Sequence, residues 1–105
     1  MINPENLFHN IPFLVEEEDF SELLNYRNVV IERIVSSDRP DNKVYNQEQD
    51  EWVILIEGEA QLKINDDIVN LKAWDYLFIS AQTPHQVLTT SRNCIWLAIH
   101  IYPHN

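Results

Sequence analysis

The sequence predicts an all-β protein, built as an antiparallel sandwich or barrel. From Val44 onward it consists of short segments rich in β-branched and aromatic residues, recurring at intervals of about ten residues. Turn-forming residues separate these segments, and no helical periodicity occurs between them. Short strands joined by regular turns are typical of antiparallel sandwiches and barrels.

Individual strands follow from local patterns. The segment EAQLKI alternates, with Ala60, Leu62 and Ile64 on one face and polar residues between them. The segment VVIERIV, residues 29–35, is rich in β-branched residues and is predicted as the first strand of the barrel. The remaining strands are predicted in VYNQ, EWVILI, IVNL, YLFIS, HQVLTT and CIWLAIHI.

The N-terminal residues differ from this pattern. Residues 1–15 carry prolines among scattered apolar residues, which indicates an irregular arm. The segment EEEDFSELL, residues 16–24, has acids in its first turn and its apolar residues on one side, which predicts a short helix with a solvated acidic start. We therefore expect one domain, with an arm and short helix over residues 1–28 packed on a barrel of residues 29–105.

Charge and cysteine content exclude several classes of function. The 105 residues include 17 acids and 7 bases, giving a net charge of −10. This balance argues against binding to nucleic acid or to anionic membranes, which need clustered Lys and Arg. No apolar run approaches the ~18 residues of a membrane span. The single cysteine, Cys94, excludes an internal disulfide and favours a cytoplasmic location.

The only glycine lies in a short motif. Gly58 follows Glu51 by seven residues. This Glu-x6-Gly spacing resembles the end of the first motif of the cupin superfamily, in which a His-x-His pair precedes the Glu. The matching segment here is YNQEQDE, so Tyr45 and Gln47 occupy the two histidine positions.

A second segment, WDYLFISAQTPH, resembles the second cupin motif, Gly-Asp, four residues, Pro-x-Gly-x-x-His. Asp75 and His85 are kept. Trp74, Ser80 and Gln82 replace the first Gly, the Pro and the second Gly. The motif therefore retains its acid and its histidine and has lost its glycines.

The resemblance covers about residues 29–101 and implies a cupin double-stranded β-helix, a jelly-roll barrel with a central cavity. The usual metal site of that family has three His and one Glu. This chain supplies one of each, Glu51 and His85, with Gln47 as the candidate third ligand. The resemblance thus implies either a weakly held divalent metal, such as iron, manganese, zinc or nickel, or none.

Two functions remain open. In the first, Tyr45, Gln47, Glu51 and His85 form a polar pocket that binds a small-molecule ligand. In the second, the chain is a metal-dependent cupin enzyme of dioxygenase or isomerase type, with Glu51 and His85 as its catalytic candidates. The structural alternatives are a carboxylate at the barrel rim for Glu51 and a hydrogen-bonded structural histidine for His85.

Three further expectations concern the rest of the chain. His100 is expected at a surface or interface, with a third ligand nitrogen as the alternative. Cys94 is expected to be a small buried or half-buried side chain. The resemblance also implies a homodimer formed by adding or exchanging N-terminal strands. Residues 29–35 are the expected contributor, because an unpaired edge strand invites such pairing.

Overall fold

The computed structural model describes residues 1–104, which form two antiparallel β-sheets. Its strands are β1 (Glu18–Tyr26), β2 (Val29–Ser36), β3 (Val44–Tyr45), β4 (Asp50–Glu57), β5 (Glu59–Ile64), β6 (Asp67–Lys72), β7 (Tyr76–Ile79), β8 (His85–Thr90) and β9 (Cys94–Ile101). None of the described residues belongs to a helix that is long and apolar enough to cross a membrane.

Apart from the consecutive pairs β1–β2 and β5–β6, successive strands alternate between the two sheets in the manner of a jelly roll. One sheet has five strands in the order β1-β2-β9-β4-β7, and the other has four in the order β3-β8-β5-β6. All strand pairs are antiparallel. The prediction of an all-β jelly-roll barrel is confirmed.

Gly58 lies at the corner where the chain passes from one sheet to the other. It is the single residue between β4 and β5, which belong to opposite sheets. Its φ of 100° is one that side chains rarely adopt. A Cβ there would lie 2.6 Å from Ser91 Oγ and 3.0 Å from Cys94 Sγ. Backbone conformation and space both require glycine at this corner.

The helix predicted over residues 16–24 is wrong. Residues 18–26 form β1, which pairs with β2 from Glu18 opposite Ser36 to Tyr26 opposite Val29. A register shift between Glu22 and Leu24 breaks the simple alternation of the strand. That shift hides the period of two in the sequence, and pairing with β2 outweighs the helical pattern.

Strand β2 is also not the edge strand expected for residues 29–35. It lies between β1 and β9, so both of its sides are hydrogen-bonded. The edges of the five-stranded sheet are β1 and β7. The prediction failed because β1 had been taken for a helix and the partner of β2 was therefore missing.

The irregular arm before β1 is fixed to the sheet by Arg33. Arg33 is only 7% exposed, and its guanidinium donates hydrogen bonds to the carbonyl oxygens of Leu7, His9 and Asn10 at 3.0, 2.7 and 3.4 Å. A buried guanidinium needs several acceptors, and carbonyl groups of the arm supply them to its two terminal nitrogens, while Nε has no hydrogen-bond partner among the described residues.

The core lies between the sheets. Its buried residues are Val53, Leu55, Ala60, Leu62, Leu71, Ile79, Cys94, Trp96 and Ala98. Cys94 is buried, as expected, and burial raises the pKa of its thiol to about 11. The thiol is therefore protonated at neutral pH and serves as a packing group.

Candidate functional site

A cavity of about 120 Å³ opens between the two sheets. Most of its exposed wall surface is apolar, although polar side chains also line it. The apolar residues are Phe20, Ile34, Val53, Leu62, Ile79, Val87 and Trp96, and the polar ones are Glu18, Glu32, Ser36, Tyr45, Gln47, Glu51, His85 and His100. An apolar cavity with a few convergent polar groups is typical of a small-molecule site.

Glu51 and His85 meet across this cavity from opposite sheets. On the five-stranded sheet, Glu51 lies directly between His100 and Ile79. On the four-stranded sheet, His85 lies next to Tyr45. His85 Nε2 and Glu51 Oε1 are 3.8 Å apart, and both side chains are about 10% exposed. The structure therefore brings the two retained motif residues together.

His85 presents an acceptor nitrogen to the cavity. Its Nδ1 lies 2.9 Å from the carbonyl oxygen of Thr83. A carbonyl oxygen can only accept a hydrogen bond, so Nδ1 carries the proton. In the neutral ring Nε2 then has a free lone pair, and it is this atom that faces Glu51.

Gln47 and Tyr45 reach the same site, but they are held by other contacts. The Gln47 amide donates a hydrogen bond to Glu51 Oε1 at 2.9 Å. The Tyr45 hydroxyl donates to Asp41 Oδ2 at 3.1 Å. Burial and Asp41 raise the pKa of Tyr45 to about 12. The Tyr45 ring stacks on His85 with 5.9 Å between centroids. Tyr45 thus contributes a ring rather than an oxygen to the site.

His100 is buried in the cavity wall, so its expected surface position is wrong. It is 8% exposed, and its ring nitrogens lie 2.9 Å from Glu32 Oε1 and 3.2 Å from Gln49 Nε2. Burial lowers the pKa of His100, but the hydrogen bond to Glu32 and the charges of Glu51 and Glu32 outweigh it and raise the pKa above its usual value. With both nitrogens engaged, His100 is no third metal ligand.

The side chains present do not fit the metal site implied by the resemblance. Gln47 directs its amide nitrogen at Glu51, and the Tyr45 hydroxyl is turned to Asp41. Among residues 1–104 no group of three or more His, Cys, Asp or Glu side chains is arranged to hold a metal ion. Sites that use a metal in catalysis typically need three protein ligands.

Glu18 is a cavity residue that the sequence analysis missed. It lines the cavity from β1, and its Oε2 is buried without a hydrogen-bond partner in the described part of the chain. Burial raises the pKa of Glu18 to about 7, and the charges of Asp41 and Glu17 add to the effect. Treating residues 18–20 as a strand would have placed Glu18 and Phe20 on one face.

Comparison with known families agrees with this architecture. A family model described as "Cupin domain" matches residues 39–100, more than half of the chain. The chain belongs to the cupin superfamily. The match includes β3 to β8 and all four residues of the predicted pocket.

Solved structures resemble this cupin over most of its length. A proposed mannose-6-phosphate isomerase from Ralstonia eutropha JMP134 is 31% identical, with a TM-score of 0.87 over 96% of this chain and 99% of that one. The cupin domain of Cnp3 from Schizosaccharomyces pombe is 7% identical, with a TM-score of 0.77 over 89% and 69% of the two chains. A cobalt complex of HppE is 18% identical, with a TM-score of 0.71 over 81% and 52%. No curated protein matched the chain.

The raised pKa of Glu18 predicts that the free energy of unfolding falls as the pH rises. Its pKa rises from 4.5 to about 7 on folding, so the folded state holds the proton more tightly. The resulting stabilisation is complete below about pH 4.5 and is lost as the pH rises through about 7. We expect the Tm to decrease between pH 5 and pH 8, and Glu18→Gln to reduce that decrease when both proteins are measured by differential scanning fluorimetry.

The matched control is Glu16→Gln, at an exposed carboxylate two residues earlier. It should leave the pH dependence of the Tm unchanged. Equal slopes in the wild type and in Glu18→Gln would show that Glu18 is solvated in the folded state.

Proposed function

We propose that this cupin binds a small molecule in its cavity through hydrogen bonds, without a resident metal. The observation that carries the proposal is the pair of Glu51 and His85, which face each other at 3.8 Å inside an apolar-walled cavity. That distance is too long for a direct hydrogen bond. The pair is therefore open to a third group placed against it.

The chemistry of the pair defines that third group. Glu51 Oε1 accepts hydrogen bonds, and in the neutral form of the His85 ring Nε2 offers its lone pair. A ligand that satisfies both must donate to both, through hydroxyl or N–H groups. Buried acceptors that a ligand satisfies favour binding, because leaving such acceptors unpaired costs about 1–3 kcal/mol each.

Fragment binding in the presence of EDTA tests the proposal. Amines, alcohols and N-heterocycles of about six heavy atoms should shift the indole N–H resonance of Trp96, which lines the cavity, in NMR spectra of labelled protein. We expect Glu51→Gln and His85→Ala to weaken the binding of the best fragment about tenfold or more, since each removes an acceptor.

The control is His9→Ala, in the exposed arm away from the cavity lining, which should leave the affinity unchanged. Circular dichroism of each variant establishes that the fold is intact. Binding that required added metal, or that survived both cavity variants, would contradict the proposal.

A second candidate function is a cupin enzyme of isomerase or dioxygenase type that uses Glu51 and His85. Two likenesses favour it: the Ralstonia protein is named as a proposed isomerase, and the HppE structure contains cobalt. In a metal-free isomerase, the free lone pair of His85 Nε2 would act as the base. The donor set described above does not support the metal-dependent form.

We also propose that the chain forms a homodimer through the outer face of the five-stranded sheet. A row of apolar side chains crosses all five strands on that face. It contains Phe78, Trp52, Ile99, Ile31 and Leu24, in the order of their strands from one edge to the other. Phe78 is 60% exposed and Leu24 is 46% exposed.

A second copy of the chain is the occupant that fits this face. The chain carries a net charge of −10, whereas the row carries no charge. A two-fold interface places the same patch on both subunits, so two uncharged apolar rows meet without repulsion between acids. Homodimer interfaces are more apolar than other protein surfaces. We also propose a cytoplasmic location with no nucleic-acid or membrane partner, on the basis of the single cysteine and the net charge of −10.

The proposed dimer interface predicts that Phe78→Lys dissociates the dimer. A lysine in the row puts two cations into the interface, and sedimentation velocity should show a shift from two chains of 12.5 kDa to one. Ile68→Lys, at a 52% exposed site on β6 of the other sheet, is the matched control and should stay dimeric. A monomeric wild type at micromolar concentration would contradict the interface.

A further inference from the structure

We infer that the cavity selects a small organic cation with a primary ammonium group and rejects phosphorylated or carboxylated ligands. The inference rests on the proposed function, because it names the ligand class of that same cavity. It comes from the charges, the hydrogen-bonding roles and the size of the lining side chains.

The charged lining residues are mainly acids. Three carboxylates, Glu18, Glu32 and Glu51, border the cavity, and its lining includes no Lys or Arg. Glu32 is paired with His100 at 2.9 Å, and Glu51 accepts a hydrogen bond from Gln47. Glu18 is left with a buried Oε2 that no group among residues 1–104 contacts by a hydrogen bond.

This unsatisfied oxygen is the strongest single indication of a ligand. A buried polar atom without a partner is rare in folded proteins, because its desolvation is not compensated. Glu18 Oε2, Glu51 Oε1 and His85 Nε2 border one cavity. Ionised Glu18 and Glu51 accept hydrogen bonds, and so does the His85 Nε2 of a neutral ring. An alcohol donates one hydrogen bond, whereas a primary ammonium group donates three.

The walls suit the rest of such a cation. The rings of Phe20, Tyr45 and Trp96 line the cavity, and aromatic faces attract cations. Phe20 is 54% exposed, so the cavity reaches solvent beside it. A volume of about 120 Å³ is close to the ~150 Å³ that encloses benzene. The cavity therefore encloses about five or six heavy atoms.

The same lining disfavours a sugar phosphate. Phosphate binding uses Arg, Lys or backbone N–H groups at a helix N-terminus. The cavity lining has no Arg or Lys, and the described residues form no helix. A phosphate inside would instead face carboxylates in a medium of low dielectric constant, where repulsion is strong. The substrate that names the Ralstonia protein is therefore not the ligand inferred for this chain.

Three ligands of matched shape test the inference: n-butylammonium, 1-butanol and butyrate. Each is titrated into labelled wild-type protein at pH 8, above the pKa of about 7 of Glu18, with EDTA present, while the Trp96 indole N–H resonance is followed by NMR. We expect n-butylammonium to bind about tenfold or more tighter than 1-butanol, since hydrogen bonds that involve charge are the stronger ones. Butyrate should give no shift at the same concentrations.

Glu18→Gln separates the charge from the shape of the cavity. It should reduce the affinity for n-butylammonium about tenfold and leave that for 1-butanol unchanged. Glu16→Gln, the exposed control, should change neither affinity.

The outcomes distinguish this inference from the proposed function. The selectivity for a cation is overturned if 1-butanol or butyrate binds as tightly as n-butylammonium. It is also overturned if Glu18→Gln binds n-butylammonium as tightly as the wild type does. In both cases the proposal that the cavity binds a small molecule is retained. If none of the three ligands shifts the Trp96 resonance, the cavity is closed to organic molecules of this size. The proposed function then fails together with the inference.

Discussion

The change of sheet between β4 and β5, within the single residue Gly58, determines the geometry on which the site depends. With β4 in one sheet and β5 in the other, the corner sets how the two sheets face each other. Glu51 lies near the far end of β4 from this corner, where it faces His85 on β8 across the cavity. A side chain at Gly58 would collide with Ser91 and Cys94, so a larger residue would disturb the corner at which the strand of Glu51 passes into the second sheet.

The retained and the replaced motif residues now have different chemical roles. Glu51 and His85 keep acceptor atoms that face the cavity. The Gln47 amide and the Tyr45 hydroxyl instead donate hydrogen bonds to other side chains of the protein. His100 enters the cavity wall but uses both ring nitrogens on Glu32 and Gln49. The family architecture is kept, while Tyr45 and Gln47 replace two of the three histidines of the family's metal site and His85 is the one that remains. This is why we favour hydrogen-bonded binding of an organic ligand.

The barrel could be predicted from the alternation and spacing of the strands, and the meeting of Glu51 with His85 from the resemblance of two segments to the cupin motifs. The absence of glycine from the second motif was a poor guide to its backbone conformation. Trp74 and Gln82, which replace family glycines, still adopt positive φ values of 76° and 60°. Their backbone conformation survives without glycine because tertiary contacts hold it, such as the hydrogen bond from the Trp74 N–H to the Leu55 carbonyl oxygen.

The sequence could not predict β1, and the errors at Glu18 and His100 have related causes. The register shift in β1 interrupts the period of two, so the apolar residues of this segment follow a helical spacing in the sequence. Glu18 was therefore predicted to lie on a solvated face. The inward direction of His100 depends on which face of β9 meets the second sheet, and both faces are apolar. Long-range pairing decides such questions, and local patterns in the sequence do not carry that information.

Elemental analysis of untagged protein, purified without chelators beside His85→Ala, tests the central claim that the cavity works without a resident metal. The account predicts iron, manganese, zinc and nickel far below one atom per chain in both proteins, also after soaking with each metal and desalting. Near-stoichiometric metal in the wild type that is lost in His85→Ala would contradict it, because the cavity would then hold a metal that His85 ligates.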